Sequence, residues 1–581
     1  MKRNAIWVAR AAAAFAIASG FGAAFPRLSG LLAKLPAPST IGVWSAVLPW
    51  PIVAINTTVL PNGKLLIYPR NTAGQAKVWN PAASTFEAAT MTRTDIFCTG
   101  QALLGDGRVL VAGGHIQDGV GRPDTNLFQF GSGTWTAGPD MNAGRWYPSV
   151  TSLASGDALI TSGEIDGSQG VNALHQVYRM RTNTLRDLTS AQFSLPLYPF
   201  LHQAPNGKVF NSGPNQGTLY FDIHGKGAVT SVATSQFGFR DYGTSVMYEP
   251  GKVLLVGGHD PPTATAEVID LNAPSPAWRY TAPMRYARRQ LNATLLPDGR
   301  VLVTGGTSST GFNSSAGPVF AAEVWDPKTE TWGLWASTSE RRLYHSTTVL
   351  LPDGRILSAG GGQPFADGES ADHLTAQIMT PPYLFRGKRP TILDAPATVY
   401  YGERLYVTTP DADTIQLLTL IRLPSTTHAF DMNQRFNRID FVVEDEGLLA
   451  TVPSNPAECP PGDYMLFVLN GLGVPSVARM IRIAFEPSVV PAVPTQLTGI
   501  PARTNIALAW TDSGWNEDGF RVERSSNGGT AWTQVATPGN DDTQFTNTGL
   551  TRNRTYLYRV RAYNAAGDSA WSDTLTLATL P

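Results

Sequence analysis

One pattern recurs seven times between residues 57 and 360: an apolar strand, a tight turn ending in glycine, and a second apolar strand. The turn glycines are Gly63, Gly107, Gly156, Gly207, Gly251, Gly299 and Gly354, so successive copies lie 44 to 55 residues apart. Each copy runs on into a second strand pair, as in Val78-Trp79-Asn80-Pro81, Glu267-Val268-Ile269-Asp270 or Glu323-Val324-Trp325-Asp326. Two hairpins per unit predict a small four-stranded sheet, which cannot cover both of its own faces. The units must therefore stack on one another, and unrelated hairpins would not keep this register over seven copies.

A period near 50 residues with Gly-Gly after the second strand is a kelch-type signature, and seven copies predict a closed seven-bladed β-propeller over residues 40–385. The composition agrees with an all-β chain: 56 glycines, 43 prolines and 14 tryptophans suit tight turns and flat packed strands. After Gly362 the repeat stops. Residues 388–485 carry short alternating strands of the size of an immunoglobulin-like β-sandwich. Residues 486–494 form a proline-rich linker. Residues 495–581 resemble a fibronectin type III β-sandwich, with Tyr556 as its expected corner tyrosine.

Two classes of partner are excluded by charge. With 44 basic and 45 acidic residues the net charge is -1, and there is no basic field to draw nucleic acid or an anionic membrane. Residues 1–24 read as a secretion signal, with Lys2, Arg3 and Arg10 ahead of a small-residue apolar run too short to span a bilayer. A secreted or cell-envelope protein with no membrane span is expected, and a monomer. The two cysteines, Cys98 and Cys459, fall in different predicted domains, with Cys459 on a strand-edge segment, and no disulfide between them is expected.

Counting back nine residues from each turn glycine gives structurally equivalent positions, which a propeller places on one ring around its axis. The ring reads Ala54, Cys98, Tyr147, Tyr198, Tyr242, Gln290 and His345, with Tyr344 next to the last. A ring for packing alone would be small or apolar. Imidazole with phenolate is a ligand set suited to Cu(II) or Fe(III) and too poor in thiolate for structural zinc. Adjacent strand residues point to opposite faces, so Tyr344 and His345 can share one ion only from a loop or bulge before the strand. The other histidines, apart from His428, read as ordinary core or surface groups.

Five stretches carry a resemblance to a known family: Phe97-Cys98-Thr99-Gly100, Arg145-Trp146-Tyr147-Pro148-Ser149, Leu197-Tyr198-Pro199-Phe200, Arg342-Leu343-Tyr344-His345-Ser346, and the run from Thr426 to Arg435 that contains His428. Over roughly residues 40–485 the chain resembles the copper radical oxidases, galactose oxidase and more closely glyoxal oxidase. The resemblance implies an early set type for the sandwich and Cu(II) held by Tyr147, Tyr344, His345 and His428. It also implies a Cys98–Tyr147 thioether that serves as the protein-derived radical cofactor, and Tyr344 as the base. His428 would reach the propeller mouth from the sandwich. The implied reaction uses O2 to oxidise a small aldehyde or primary alcohol, releasing hydrogen peroxide.

Around these residues, Trp146, Ile165, Tyr198, Tyr242 and Gln290 are candidates for lining the site or touching substrate. Galactose oxidase stacks a tryptophan on its thioether at the position of Ile165, and its sugar-binding arginine has no counterpart beside Tyr198-Pro199. Trp146 is the candidate replacement for that tryptophan. Two rival readings stay open: an alcohol oxidase directed at carbohydrate or polymer through contacts of the fibronectin module, and a non-catalytic glycan- or protein-binding propeller.

Overall fold

The computed structural model describes residues 36–70, 75–362 and 371–581; the expected signal segment, 1–24, lies outside them. Seven sheets follow one another along the chain, one per copy of the repeat. Their inner strands are β1 (Asn56–Val59), β2 (Thr99–Leu103), β3 (Ser149–Ser152), β4 (Phe200–Gln203), β5 (Thr244–Glu249), β6 (Arg289–Leu295) and β7 (Ser346–Leu350). From β2 to β7 each packs against the next, and β7 packs against β1, so the inner strands circle a common axis. The last sheet takes its outermost strands from the start of the described chain: Val43 and Trp44 pair with Thr380 and Met379.

Stacking the sheets buries large aromatic side chains between them. Trp79 and Trp325 are almost wholly enclosed, and burial of a side chain that size contributes about 2–3 kcal/mol. Residues at four of the seven turns meet the next domain closely. Added methyl groups at Gly107, Gly156, Gly299 and Gly354 would run against Arg482 and Asp463, Pro461, Phe436 and Pro475 respectively. The turn face of the propeller therefore rests on the sandwich, whose sheets have five strands (Thr398–Tyr400, Arg479–Ala484, Gly462–Asn470, Ile415–Arg422, Arg435–Ile439) and three.

Two of those strands do not stop at the sandwich. Beyond the paired residues Arg422 and Arg435, the chain continues as a hairpin, β8 (Ser425–Thr427) and β9 (Phe430–Asp431). Strand β8 pairs antiparallel with β1, Asn56 opposite Thr427, and also lies against β2. The hairpin thus fills the propeller axis, and its polar sequence follows from what it meets there. Backbone groups at the inner edges of seven sheets need partners. Gln434 accepts from the Leu295 N–H at 2.9 Å and donates to the Ala293 carbonyl at 2.8 Å. Arg422 donates to the carbonyls of Pro460, Pro461 and Leu103. Arg435 donates to those of Ala457, Glu458 and Gln203. Asp431 accepts the N–H groups of Ser425, Asn433 and Gln434 and the Thr426 hydroxyl.

Residues 495–581 form two sheets, and the Tyr556 hydroxyl accepts the Thr551 N–H at 3.0 Å, the corner bond expected of such a module. The linker reading suggests a tethered, separate module. Instead the module packs on the propeller's turn face, where Trp515 covers Gly207 so closely that an added Cβ would lie 2.9 Å from its ring. Cys98 and Cys459 are both free and buried. Cys459 sits in the loop ahead of Gly462–Asn470 rather than on a strand edge. No helix among the described residues is long and apolar enough to cross a membrane.

Candidate metal centre at the propeller mouth

Six of the seven ring residues share one uncommon backbone state: φ is positive at Cys98, Tyr147, Tyr198, Tyr242, Gln290 and His345. Left-handed backbone is costly for residues with a Cβ and persists only where the surroundings over-determine it. Two features hold it here. Neighbouring ring positions bond backbone to backbone, Tyr147 N–H to Cys98 O, Tyr198 N–H to Tyr147 O and Gln290 N–H to Tyr242 O. Buried arginines just ahead of four ring positions reach a carbonyl at the end of the returning strand: Arg145 to Ser162, Arg240 to Gly257, Arg288 to Gly305 and Arg342 to Gly360. Those arginines recur in the sequence two or three residues ahead of the ring position, a signal that spacing alone carries. Ala54 does not share the left-handed state; the hairpin passes there, with the Thr427 hydroxyl on the adjacent Ile55 carbonyl.

Tyr344 and His345 precede β7, so neither is bound to strand alternation. Their rings stack with centroids 3.8 Å apart. His428 and Ala429 form the two-residue tip of the hairpin, both with positive φ, as a type I′ turn requires; such turns favour Asn-Gly. The tip brings His428 to 4.7 Å from His345, 4.6 Å from Tyr147 and 5.3 Å from Tyr344, centroid to centroid. The hydroxyls of Tyr147 and Tyr344 are in direct hydrogen-bonding contact.

Both imidazoles are oriented from behind. His345 Nδ1 donates to the Gly362 carbonyl at 2.9 Å. The Thr427 hydroxyl gives its proton to Ile55 O and so accepts from His428 Nδ1 at 2.7 Å. In each ring Nε2 is left as a lone pair, and both Nε2 atoms are buried without a hydrogen-bond partner. Burial pulls the His345 pKa down to about 3 and His428 well below the ordinary value, so both stay neutral. Burial also pushes the Tyr147 and Tyr344 phenols well above their usual range, and only a nearby cation would make them release a proton readily. Two unpartnered imidazole nitrogens, on rings packed against two touching phenols, form a donor set that suits a Cu(II) ion.

The thiol of Cys98 is fully buried and contacts the Tyr147 hydroxyl and the Trp146 indole. Trp146 lies flat on Tyr147, centroids 3.8 Å apart at 9°, with its N–H on His115 Nδ1 at 3.3 Å. Ile165 is half-buried on the strand Glu164–Asp166, whose Glu164 pairs with Trp146. Tyr198 stacks on both Tyr147 and His428 at 4.6 Å, and the Tyr242 ring meets the Tyr344 ring edge-on with centroids 5.5 Å apart. Gln290 keeps the ring geometry, but its buried amide has no partner. A cleft of about 240 Å³ opens beside Tyr147 and His428, walled by Pro196, Leu197, Phe239 and Tyr242 with Asp241 at one side. Asp241 is paired with Arg289 at 2.6 Å. Neither that pair nor Phe312, which packs on Tyr344, was picked out from the sequence.

Residues 75–368 match the sequence profile described as glyoxal oxidase N-terminus, 389–483 that of the galactose oxidase-like early set domain, and 492–577 the fibronectin type III domain. A galactose oxidase of Gibberella zeae is 30% identical over 493 residues, covering 76% of this chain and 71% of its own. An aldehyde oxidase of Vitis pseudoreticulata is 29% identical over 67% of this chain and 82% of its own. A solved fungal alcohol oxidase in complex with copper superposes with a TM-score of 0.71 at 27% identity, over 77% of this chain and all of that one.

Proposed function

The chain belongs to the glyoxal oxidase and galactose oxidase family and is a copper radical oxidase; from that premise we propose that it oxidises a small aldehyde or primary alcohol with O2, through a centre built from Cys98, Tyr147, Tyr344, His345 and His428. In this reading the propeller is residues 40–385, the sandwich 388–485 and the C-terminal module 495–581, and residues 1–24 direct export. The observation that carries it is the pair of buried, unpartnered Nε2 atoms on rings packed against two touching phenols.

His345, His428, Tyr147 and Tyr344 would hold the copper, which supplies one of the two one-electron acceptors that a two-electron oxidation by O2 requires. Tyr147 is the second. Joined through a ring carbon to the sulfur of Cys98, it becomes easier to oxidise, and formation of that bond removes one hydrogen from each residue, with O2 as the acceptor. The indole of Trp146, flat against the ring, keeps water off it. Tyr344 takes the hydroxyl proton of an alcohol or of a hydrated aldehyde, and the Tyr242 ring packs edge-on against it. The net change is RCH2OH + O2 giving RCHO + H2O2. A cleft of about 240 Å³ with mostly apolar walls suits a small substrate better than a polymer chain.

Copper-loaded protein should release one peroxide per molecule of simple alcohol or aldehyde consumed, and the metal-free protein none. Tight copper binding without peroxide from any such substrate would favour the binding-propeller reading instead.

A further inference from the structure

On the turn face, at the opposite ends of the inner strands from the copper ligands, the C-terminal module and the propeller share an acidic cluster that the oxidase chemistry does not use. His224, in the turn after the strand Gly217–Asp222, comes from the propeller. Asp512 and Asp541 come from the module. One potential ligand atom from each lies within 4.8 Å of the others.

Acidic clusters at surfaces are common, and this one differs in two respects. First, it contains carboxylate oxygens with nothing to bond to. Glu517 is only 5 % exposed, and its Oε2 is buried without a partner; so is Asp512 Oδ2. Burial, Asp512 and Asp541 all raise the Glu517 pKa, while burial and Asp541 push Asp512 up to about 6 although its contact with Glu517 pulls it back. Asp157 of the propeller is raised to about 6 by burial and by Asp541. Basic groups do not fill this need. Arg186 reaches Asp541 at 3.4 Å and Asp542 at 3.7 Å, and Arg179 is engaged with Asp542 at 3.1 Å and with the Asn540 carbonyl.

Second, the histidine is set up as a ligand. Its Nδ1 is held by Asp222 Oδ1 at 2.8 Å, which fixes the ring and leaves Nε2 for an ion. A carboxylate behind an imidazole is the usual support of a metal-binding histidine. The backbone is equally prepared, since the Gly225 N–H donates to Asp541 O at 2.6 Å and locks the two turns together.

We propose that His224, Asp512 and Asp541, with Glu517 against Asp512, bind one divalent cation of the zinc class that clamps the C-terminal module onto the propeller. One imidazole with carboxylates and no thiolate selects a borderline ion over calcium, which takes six or more oxygens. The site is separate from the copper centre and carries no part of the oxidation.

Zinc chloride titrated into the copper-loaded full chain, with metals counted after gel filtration, tests this. The expected result is one bound zinc per chain in addition to copper. His224→Gln and Asp512→Asn should each weaken zinc binding at least about tenfold while copper content and peroxide release stay at the wild-type level. Asp512→Asn keeps the size and shape of the side chain, so this variant remains informative if the histidine variant folds poorly. Three results would overturn the proposal: no zinc bound beyond copper at about 10 μM, which would make the cluster a proton-sharing contact only; zinc binding unchanged in both variants; or calcium binding in its place without regard to His224→Gln.

Discussion

Cys98→Ser is expected to keep its copper and lose about a thousandfold in turnover, an increase of about 4 kcal/mol in the barrier. Serine is close to the size of cysteine and fits the buried place of the thiol beside Tyr147, so the fold and the four copper ligands are undisturbed. What disappears is the bond that makes Tyr147 the easily oxidised member of three buried phenols, Tyr147, Tyr198 and Tyr344, packed around His428. The measurement pairs copper stoichiometry with peroxide release at saturating substrate. Turnover within about threefold of wild type, roughly 0.7 kcal/mol, would show that the thioether is not central.

His428→Gly is expected to reduce copper affinity at least about a hundredfold, close to 3 kcal/mol, without unfolding the metal-free protein. Glycine is chosen because φ is 45° at this position, where a side chain is strained by about 1–2 kcal/mol. Relief of that strain, and of a buried nitrogen with no partner, offsets the packing lost against Tyr147 and Tyr198. The metal-free melting temperature should therefore move by only a few degrees, while the rise on adding copper, which follows from mass action, should vanish. A variant that keeps the copper-dependent rise would remove the hairpin tip from the ligand set and with it the coupling of sandwich to propeller.

The balance of strain and function at His428 also explains what could be read from the sequence. The ring was legible because a left-handed residue at the start of six of the seven inner strands recurs at a fixed distance from a glycine turn, and both repeat with the sheets. Cys98, Tyr147 and His345 could be aligned without any knowledge of their contacts. Ala54 looked equivalent by spacing but is not, because β8 takes the place beside β1 that a ring residue would fill. The hairpin itself has no periodicity to detect. Its partners are strand edges more than a hundred residues away in sequence, Gln434 with Ala293 and Arg422 with Leu103, and only the resemblance to known oxidases marked His428. The docking of the C-terminal module was illegible for the same reason: Trp515 on Gly207, and His224 beside Asp512 and Asp541, are pairings across some three hundred residues with no local signature. The proline-rich linker suggested separation when the surfaces on either side of it were built to meet.

The most direct test of the centre is peptide mass spectrometry of the protein after copper loading in air. If Cys98 and Tyr147 share the site as described, a single cross-linked species should appear containing both peptides, lighter than their sum by two hydrogens, and it should be missing when copper is withheld. Recovery of Cys98 as a free alkylatable thiol and of Tyr147 in an unmodified peptide, after full copper loading and exposure to O2, would contradict the account.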